Sequence, residues 1–183
     1  NGGVFGAVAA LSALWHRQRT GEGQLVDLSQ REANICTLPE LVFEYTMNGY
    51  VPGPTGNKHV TVSPHGCYPC LDEDSWVAIE ARSDKEFMAL CRAIGRDDLA
   101  EDSRFADAAH RKQNEDDLDE IIKAWTKDRD AHDVMRRLQE AGVPAGAVLT
   151  AQQVVEDPHF AANGFFETVN HEDAGTHTHM RGP

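Results

Sequence analysis

The stretch from residue 16 to residue 29 constrains the fold most, because it joins two helices through a tight turn. Gly21 is expected to end the first helix, and residues 25–28 are expected to form a short buried strand. Ser29-Gln30-Arg31-Glu32 predicts a capping box that starts the second helix. Before this joint, apolar residues recur at helical spacing at Val4, Val8, Leu11 and Trp15. This connecting segment by itself indicates a folded domain and predicts no catalytic or binding site.

The predicted secondary structure changes after a segment rich in glycine and proline between residues 49 and 66. Pro39 is expected to kink or divide the helix that precedes this segment. Beyond it, residues 66–70 and 75–81 predict a hairpin, and a capping box at Ser83 predicts a helix. Two further helices, over about 115–127 and 131–141, precede a return strand at 143–149. These elements predict a compact α+β module over residues 66–150.

The charge balance excludes some classes of partner. The 183 residues include 17 Lys and Arg against 30 Asp and Glu, a net charge of −13. A general electrostatic footprint on nucleic acid needs a basic face, so nucleic acid is not an expected partner. Neither an apolar run of about 20 residues nor a signal peptide is evident, so no membrane partner is expected. The sequence predicts a cytoplasmic protein with reduced cysteines.

Common catalytic motifs do not occur: there is no Gly-x-Ser-x-Gly, no phosphate loop and no His-Glu-x-x-His. Gly2-Gly3 lies at a helix start, where free amides receive an anion or where small residues simply allow packing. Cys67 and Cys70 are consistent with structural thiols or with a redox or zinc pair. His177 and His179 share one strand face without a third ligand nearby, and no metal is expected.

Several short motifs occur in an order that resembles one family. They are His16-Arg17, Thr20-Gly21-Glu22-Gly23-Gln24, Gly56-Asn57, Ser63-Pro64-His65-Gly66, Trp76-Val77-Ala78-Ile79, Ala141-Gly142-Val143-Pro144-Ala145-Gly146 and Asp157-Pro158-His159. In this order they resemble the family III CoA-transferases, the CaiB/BaiF-like group. The resemblance implies an α/β fold made of the end of a Rossmann-like large CoA-binding domain and a small α+β domain, from an interlocked homodimer.

The same resemblance implies the domain boundaries. Residues 1–50 would belong to the large CoA-binding domain, 51–65 to a linker, and 66–150 to the small domain. Residues 151–183 would form a return linker toward the large domain. The chain is thus expected to be the central and C-terminal portion of a subunit, inactive as a fragment.

The family chemistry is nucleophilic catalysis by an Asp carboxylate, which forms a mixed anhydride and then an aspartyl-CoA thioester. The resemblance places this Asp two residues before Asn1. Asn1, Gly2 and Gly3 would then flank it and line the active site. The implied substrates are an acyl-CoA and a carboxylic acid, with no permanently bound cofactor.

A second group of candidate residues lies in the segment 56–66. Asn57, Lys58, His59 and His65 are candidates to contact the CoA phosphates or an acyl carboxylate, with solvated loop residues as the alternative. Oxalate-using members of the family have a glycine run here. Residues 60–62, Val-Thr-Val, are stiffer.

Two alternatives to a transferase remain open. The first is a 2-methylacyl-CoA racemase, in which a Glu-Pro dipeptide would stand in place of Asp84-Lys85; this departure favours the transferase. The second is an inactive chain that serves as an assembly partner. Asp84 belongs to a capping box, and Glu115-Asp116-Asp117 begins a helix with favourable charge placement, so neither is expected to bind a ligand.

Overall fold

The computed structural model describes residues 1–181, so the last two residues of the expected return linker lie outside the described part. The chain forms two compact units, Asn1–Pro54 and Thr55–Pro183.

The first unit is helical. Its three helices are α1 Gly2–Thr20, α2 Gln30–Ile35 and α3 Pro39–Asn48. Gly21 ends α1 in the left-handed region at φ 77°, and its amide donates to the carbonyl of Arg17. The predicted division at Pro39 is confirmed, because this proline begins α3. Ser29 caps α2 by accepting from the Glu32 amide, although the return bond of a full capping box is not formed.

The strand predicted at residues 25–28 is wrong. These residues lie outside helices and strands, and the Leu25 side chain is 93% exposed. A strand is stabilised by pairing, and residues 1–54 contain no second strand with which this segment pairs. The predicted apolar helix is confirmed as α1, but its stripe is exposed within the described chain, at Val4, Val8, Leu11 and Trp15.

The second unit contains a three-stranded antiparallel sheet. Strands β1 His65–Pro69 and β2 Trp76–Glu80 form the predicted hairpin, with Cys67 opposite Ala78. The predicted return strand is β3 Ala145–Ala147, which pairs with β2 and gives the order β1-β2-β3.

Helices cover this sheet and enclose the core. They are α4 Asp84–Ile94, α5 Asp98–Glu101, α6 Ala108–Gln113, α7 Glu115–Thr126 and α8 Ala131–Glu140, with a 3₁₀ turn at Ser103–Phe105. Helix α7 packs on β1, and α8 packs on β2 and β3. The core that results contains Val77, Ile79, Phe87, Leu90, Leu99, Phe105, Leu118, Ile122, Val134 and Leu138.

Caps fix where these helices begin. Ser83 and Glu86 form the predicted capping box of α4, with both reciprocal hydrogen bonds present. The Asp130 side chain accepts from the Asp133 amide at 3.0 Å and starts α8. The segment 96–113 holds α5, the 3₁₀ turn and α6, and Phe105 within it is buried.

The C-terminal segment continues with α9 Ala151–Glu156 and α10 Pro158–Ala162, then an antiparallel hairpin of β4 Phe166–His171 and β5 Gly175–Met180. Asp157 caps α10, as its sequence predicts. No helix between residues 1 and 181 combines the length and the apolar content needed to span a membrane.

Candidate functional site

Two adjoining clefts lie beside the sheet of the second unit. The larger has a volume of about 540 Å³, and its polar lining includes Asn57, Lys58, His65 and Glu80. The smaller, of about 380 Å³, shares Asn57, Lys58 and His65 and extends to Asp119. Three of the four candidate residues from segment 56–66 therefore come together at these clefts.

His65 is held by a hydrogen bond at one of its ring nitrogens. Its Nδ1 lies 2.7 Å from the carbonyl oxygen of Asn57, and because a carbonyl only accepts, Nδ1 carries the hydrogen. Its Nε2 lies 3.7 Å from a carboxylate oxygen of Glu80, the residue opposite it in the hairpin. The other Glu80 oxygen accepts from Nε of Arg82 at 2.9 Å. The ring is thereby fixed on the cleft wall in one tautomeric arrangement.

His59 has the opposite tautomer. Its Nδ1 accepts from the backbone amides of Thr61 and Val62, each at 3.1 Å, so the hydrogen of the neutral ring is on Nε2. The centroids of the His59 and His65 rings are 5.3 Å apart. The lining of the two clefts includes His65 but not His59. His59 therefore organises its own loop.

The ammonium of Lys58 is paired with two carboxylates at the start of α7. Its Nζ lies 2.5 Å from Oδ1 of Asp116 and 3.2 Å from Oε1 of Glu115. The hydrogen bonds to Asp116 and then Glu115 raise the pKa of Lys58 above its ordinary value. The sequence made Lys58 a candidate to bind a phosphate or a carboxylate of the substrate. In the structure, its ammonium is already paired with two acidic side chains of the same unit.

Glu115 also contacts a second lysine, Lys112, whose Nζ donates to the carbonyl oxygen of His59 at 2.7 Å. Partial burial acts to raise the pKa of Glu115, but the hydrogen bonds from Lys112 and Lys58 outweigh it and the net pKa is lowered. The acidic helix start, expected to need no ligand, therefore pairs with three cationic side chains of its own unit, Lys58, Lys112 and Arg104.

Arg111 fixes the far end of the same loop. Its buried guanidinium donates through Nε to the carbonyl of Ser63 at 3.2 Å and through Nη1 to the carbonyl of Phe105 at 3.3 Å. Its Nη2 donates to Oδ1 of Asp84 at 2.8 Å. No sequence signal singles out this arginine, because its partners are 48, 6 and 27 residues away.

Tyr68 and Asp119 form a pair in the wall of the smaller cleft. The buried Tyr68 hydroxyl donates to Oδ1 of Asp119 at 2.6 Å. Burial, followed by the hydrogen bond to Asp119, raises the pKa of Tyr68 far above its ordinary value. Burial also raises the pKa of Asp119, although the tyrosine hydroxyl opposes this. No local sequence pattern points to this pair, because Tyr68 and Asp119 are 51 residues apart.

The remaining candidates, Asn1, Gly2 and Gly3, lie in the first unit at the start of α1. Asn1 is the N-cap, but its side chain caps no amide and Nδ2 instead lies 3.4 Å from Oγ1 of Thr37. The first backbone bond of α1 runs from the Phe5 amide to the Asn1 carbonyl. The amides of residues 2–4 therefore receive no bond from the helix itself. A methyl group on Gly3 would meet no other described residue within 4 Å.

The other singled-out residues do not form a site. The four cysteines are free thiols, and burial raises the pKa of Cys91 to about 11. The rings of His177 and His179 lie 6.5 Å apart on β5. Across the described residues, no three His, Cys, Asp or Glu side chains converge as a metal site would require.

Comparison with known proteins connects the chain to one group. Over residues 1–183 it matches the family described as CoA-transferase family III. It is 38% identical over 172 residues to succinyl-CoA–D-citramalate CoA-transferase of Chloroflexus aurantiacus, an alignment that covers 94% of this chain and 42% of that protein. It is 33% identical over 172 residues to the alpha subunit of succinyl-CoA–L-malate CoA-transferase of Chloroflexus aurantiacus, covering 94% of this chain and 40% of that subunit.

A solved structure shares the fold. The crystal structure of a CaiB/BaiF family protein from Brucella suis matches with a TM-score of 0.81 and 29% identity, covering 100% of this chain and 50% of that one. The mixed α/β architecture is therefore that of CaiB/BaiF family structures. The chain spans half or less of the length of each of these relatives.

Proposed function

This chain belongs to CoA-transferase family III, and from that premise we propose that it is part of an enzyme that moves CoA from an acyl-CoA to a carboxylic acid. The family match over the whole chain carries this proposal. The cleft lined by Asn57 and His65 supports it, because it offers fixed polar groups beside open space.

The proposed mechanism uses the Asp expected two residues before Asn1. A carboxylate oxygen of this Asp bonds to the thioester carbonyl carbon, the C–S bond breaks, and CoA thiolate leaves a mixed anhydride behind. The thiolate then attacks the Asp carbonyl of the anhydride, and the donor acid departs as its carboxylate. The acceptor carboxylate and the aspartyl-CoA thioester pass through the same steps in reverse. No redox change and no permanently bound cofactor are involved.

The residues of this chain have two roles in the proposal. Asn1, Gly2 and Gly3 flank the nucleophile, where the unbonded first-turn amides of α1 stabilise developing negative charge on the thioester oxygen. Asn57 and His65 contact the substrate from the cleft wall. Lys58 and His59 act through the loop that carries them, because the ammonium of Lys58 is already paired and His59 lies outside the lining.

Short dicarboxylic acids are the proposed substrates. The names of both Chloroflexus relatives pair succinyl-CoA with a dicarboxylic acid, citramalate or malate. A substrate with a second carboxylate presents an additional anion for recognition, and Asn57 and His65 on the cleft wall are polar groups that can contact it. We therefore propose succinyl-CoA or a similar thioester as the donor.

The proposed setting is a cytoplasmic, interlocked homodimer. In it, residues 1–50 are the end of the large Rossmann-like CoA-binding domain, 51–65 are a linker, 66–150 are the small domain, and 151–183 return toward the large domain. One relative is named as an alpha subunit, so mass measurement of the native assembly would distinguish a homodimer from an assembly of unlike subunits.

The test uses the full-length subunit encoded by the gene. Purified subunit is incubated with succinyl-CoA and a panel of dicarboxylic acids, and the new acyl-CoA is measured. Mass spectrometry then searches for CoA bound to the expected Asp, with an Asp-to-Ala variant as the control. Transfer together with an adduct that the variant lacks supports the proposal.

Two other results would contradict it. Hydrogen–deuterium exchange at the 2-carbon of a 2-methylacyl-CoA, without an adduct, would indicate a racemase. If the full-length subunit catalyses neither reaction but forms a complex with a related active subunit, the result would indicate an assembly partner.

A further inference from the structure

Three cationic side chains connect the segment that precedes β1 to helices α6 and α7. We define the cleft loop as residues 57–63 and the anchoring corner as residues 111–116, which join α6 to α7. From the corner, Lys112 and Arg111 donate to the loop carbonyls of His59 and Ser63. From the loop, Lys58 reaches the acidic side chains at the start of α7.

Glu115 connects two of these contacts. One carboxylate oxygen accepts from Lys58 at 3.2 Å, and the other contacts Lys112. The side chains of Glu115 and Lys112 are only 21% and 26% exposed, so water screens their attraction less than at a fully exposed pair. One carboxylate therefore holds Lys112 beside the loop and also binds the ammonium that Lys58 extends from the loop.

The loop transmits this anchoring to the cleft. The His59 ring accepts from the amides of Thr61 and Val62, which folds the middle of the loop around one side chain. The carbonyl of Asn57, next to Lys58, accepts from Nδ1 of His65. A shift at Lys58 or His59 would accordingly move the two groups that face the cleft.

We propose that Glu115 is a positioning residue that holds the cleft loop in the arrangement in which Asn57 and His65 bind substrate. This role rests on the proposed function. Holding the loop before substrate arrives lowers the conformational entropy that binding must otherwise remove. The carboxylate of Glu115 accepts from Lys58 and Lys112 and acts on Asn57 and His65 through them.

The test compares Glu115→Gln with Asp117→Asn in the full-length subunit. Both variants remove one carboxylate from the first turn of α7, but Asp117 pairs with Arg104 at 2.8 Å and takes no part in the hydrogen bonds to the cleft loop. The two readouts are amide hydrogen exchange of residues 57–63 and the separate kcat and KM for acyl-CoA. If Glu115→Gln does not fold, Lys112→Met is measured in its place, because it removes the contact between Lys112 and Glu115.

Glu115→Gln is expected to raise exchange in the loop roughly tenfold, because two charge-assisted bonds are weakened. KM is expected to rise about three- to tenfold with kcat changed less than about twofold, since the loss is one of substrate binding. Asp117→Asn should leave loop exchange unchanged. Added salt should increase loop exchange in the unaltered protein more than in Glu115→Gln.

Unchanged loop exchange in Glu115→Gln, or an equal rise in Asp117→Asn, would overturn the anchoring. Raised exchange with unchanged KM would overturn the positioning role. Exchange is measured without catalysis, so absence of CoA transfer by the unaltered subunit would contradict the proposed function and leave the anchoring result standing.

Discussion

Arg111 and Asp84 form an ion pair of 2.8 Å between a guanidinium side chain that is 1% exposed and a carboxylate side chain that is 64% exposed. The buried partner also lies 4.7 Å from the centre of the Phe87 ring. Loss of one partner should therefore affect the two residues unequally. Water can solvate the carboxylate of Asp84 if Arg111 is removed. The buried guanidinium of Arg111 instead needs Asp84 to neutralise its charge.

The unequal dependence predicts a non-additive double-mutant cycle. Asp84→Ala should lower the free energy of unfolding by about 3 kcal/mol, because it leaves a buried cation without its counter-charge. In an Arg111→Met background the same change should cost no more than about 0.5 kcal/mol, the remaining effect of an acidic residue at a helix start. Urea denaturation of the four proteins measures both values, and equal costs in the two backgrounds would contradict the prediction.

The Tyr68–Asp119 pair predicts a tyrosine that ionises only when the second unit unfolds. Its pKa is raised by burial and by Asp119, so its contribution to stability is present below the ordinary tyrosine pKa of about 10 and is lost as pH rises above it. Phenolate absorbance should therefore show one tyrosine of three that titrates together with unfolding. This component should disappear in Tyr68→Phe and persist in Tyr45→Phe, which alters an exposed tyrosine.

The same pair predicts a stability loss of about 1–3 kcal/mol in Tyr68→Phe, since a half-buried carboxylate loses its donor. Asp119→Asn should cost less, because the amide oxygen still accepts from the hydroxyl. Chemical denaturation at neutral pH compares the two variants. A larger loss of stability in Asp119→Asn would show that the negative charge of Asp119, and not its hydrogen bond with Tyr68, provides most of the stabilisation.

The contacts of Lys58 predict a pH window for the cleft loop. The pKa values of Asp116 and Glu115 are lowered, so their contribution is present above the ordinary carboxyl range of about 4 and is lost as pH falls through the lowered values. The pKa of Lys58 is raised, so its contribution is present below 10.5 and is lost at still higher pH.

The NMR side-chain shifts of Lys58 measure this window, because its ammonium forms the ion pairs with both carboxylates. They should stay constant between about pH 5 and 10 and change on either side. In Glu115→Gln the change on the acidic side should be smaller, because one of the two titrating carboxylates is removed. A transition near neutral pH that persists in this variant would assign the titration to another group.

A substitution of Gly3, at the start of α1, is predicted to lower activity without lowering stability. Gly3→Ala adds a methyl group that meets no other described residue within 4 Å, and alanine favours a helix over glycine by up to about 1 kcal/mol. The fold should therefore be unaffected or slightly stabilised. If the first-turn amides face the reacting thioester, the kcat of the full-length subunit should fall while its thermal midpoint does not. An unchanged kcat would argue against this part of the proposed site.

Local features of the fold were predictable because their causes are local. Pro39 divides two helices because it lacks the amide that a continuous helix would use. The capping box of Ser83 and Glu86 needs only four consecutive residues. The hairpin of β1 and β2 was recognisable from two apolar runs around an acidic turn.

Features that depend on distant partners were not predictable in the same way. The apolar run 25–28 has strand character but no strand to pair with among residues 1–54. Arg111 lies in a charged segment with no apolar periodicity, and its burial follows from Ser63, Phe105 and Asp84 meeting around it. The sequence identified Lys58 as a candidate to contact the CoA phosphates or an acyl carboxylate, but not its pairing with carboxylates 57 and 58 residues later.

The distance along the chain between the cleft loop and the anchoring corner affects how family members can be recombined. A chimera that receives residues 57–63 from a relative, but keeps its own residues 111–116, would separate Lys58 from the carboxylates of Glu115 and Asp116 with which it pairs. Both segments should be transferred together, although more than 40 residues separate Ser63 from Arg111. In a library of shuffled sequences, crossovers between these segments should be tolerated only when both parents keep the lysine at 58 and the glutamate at 115.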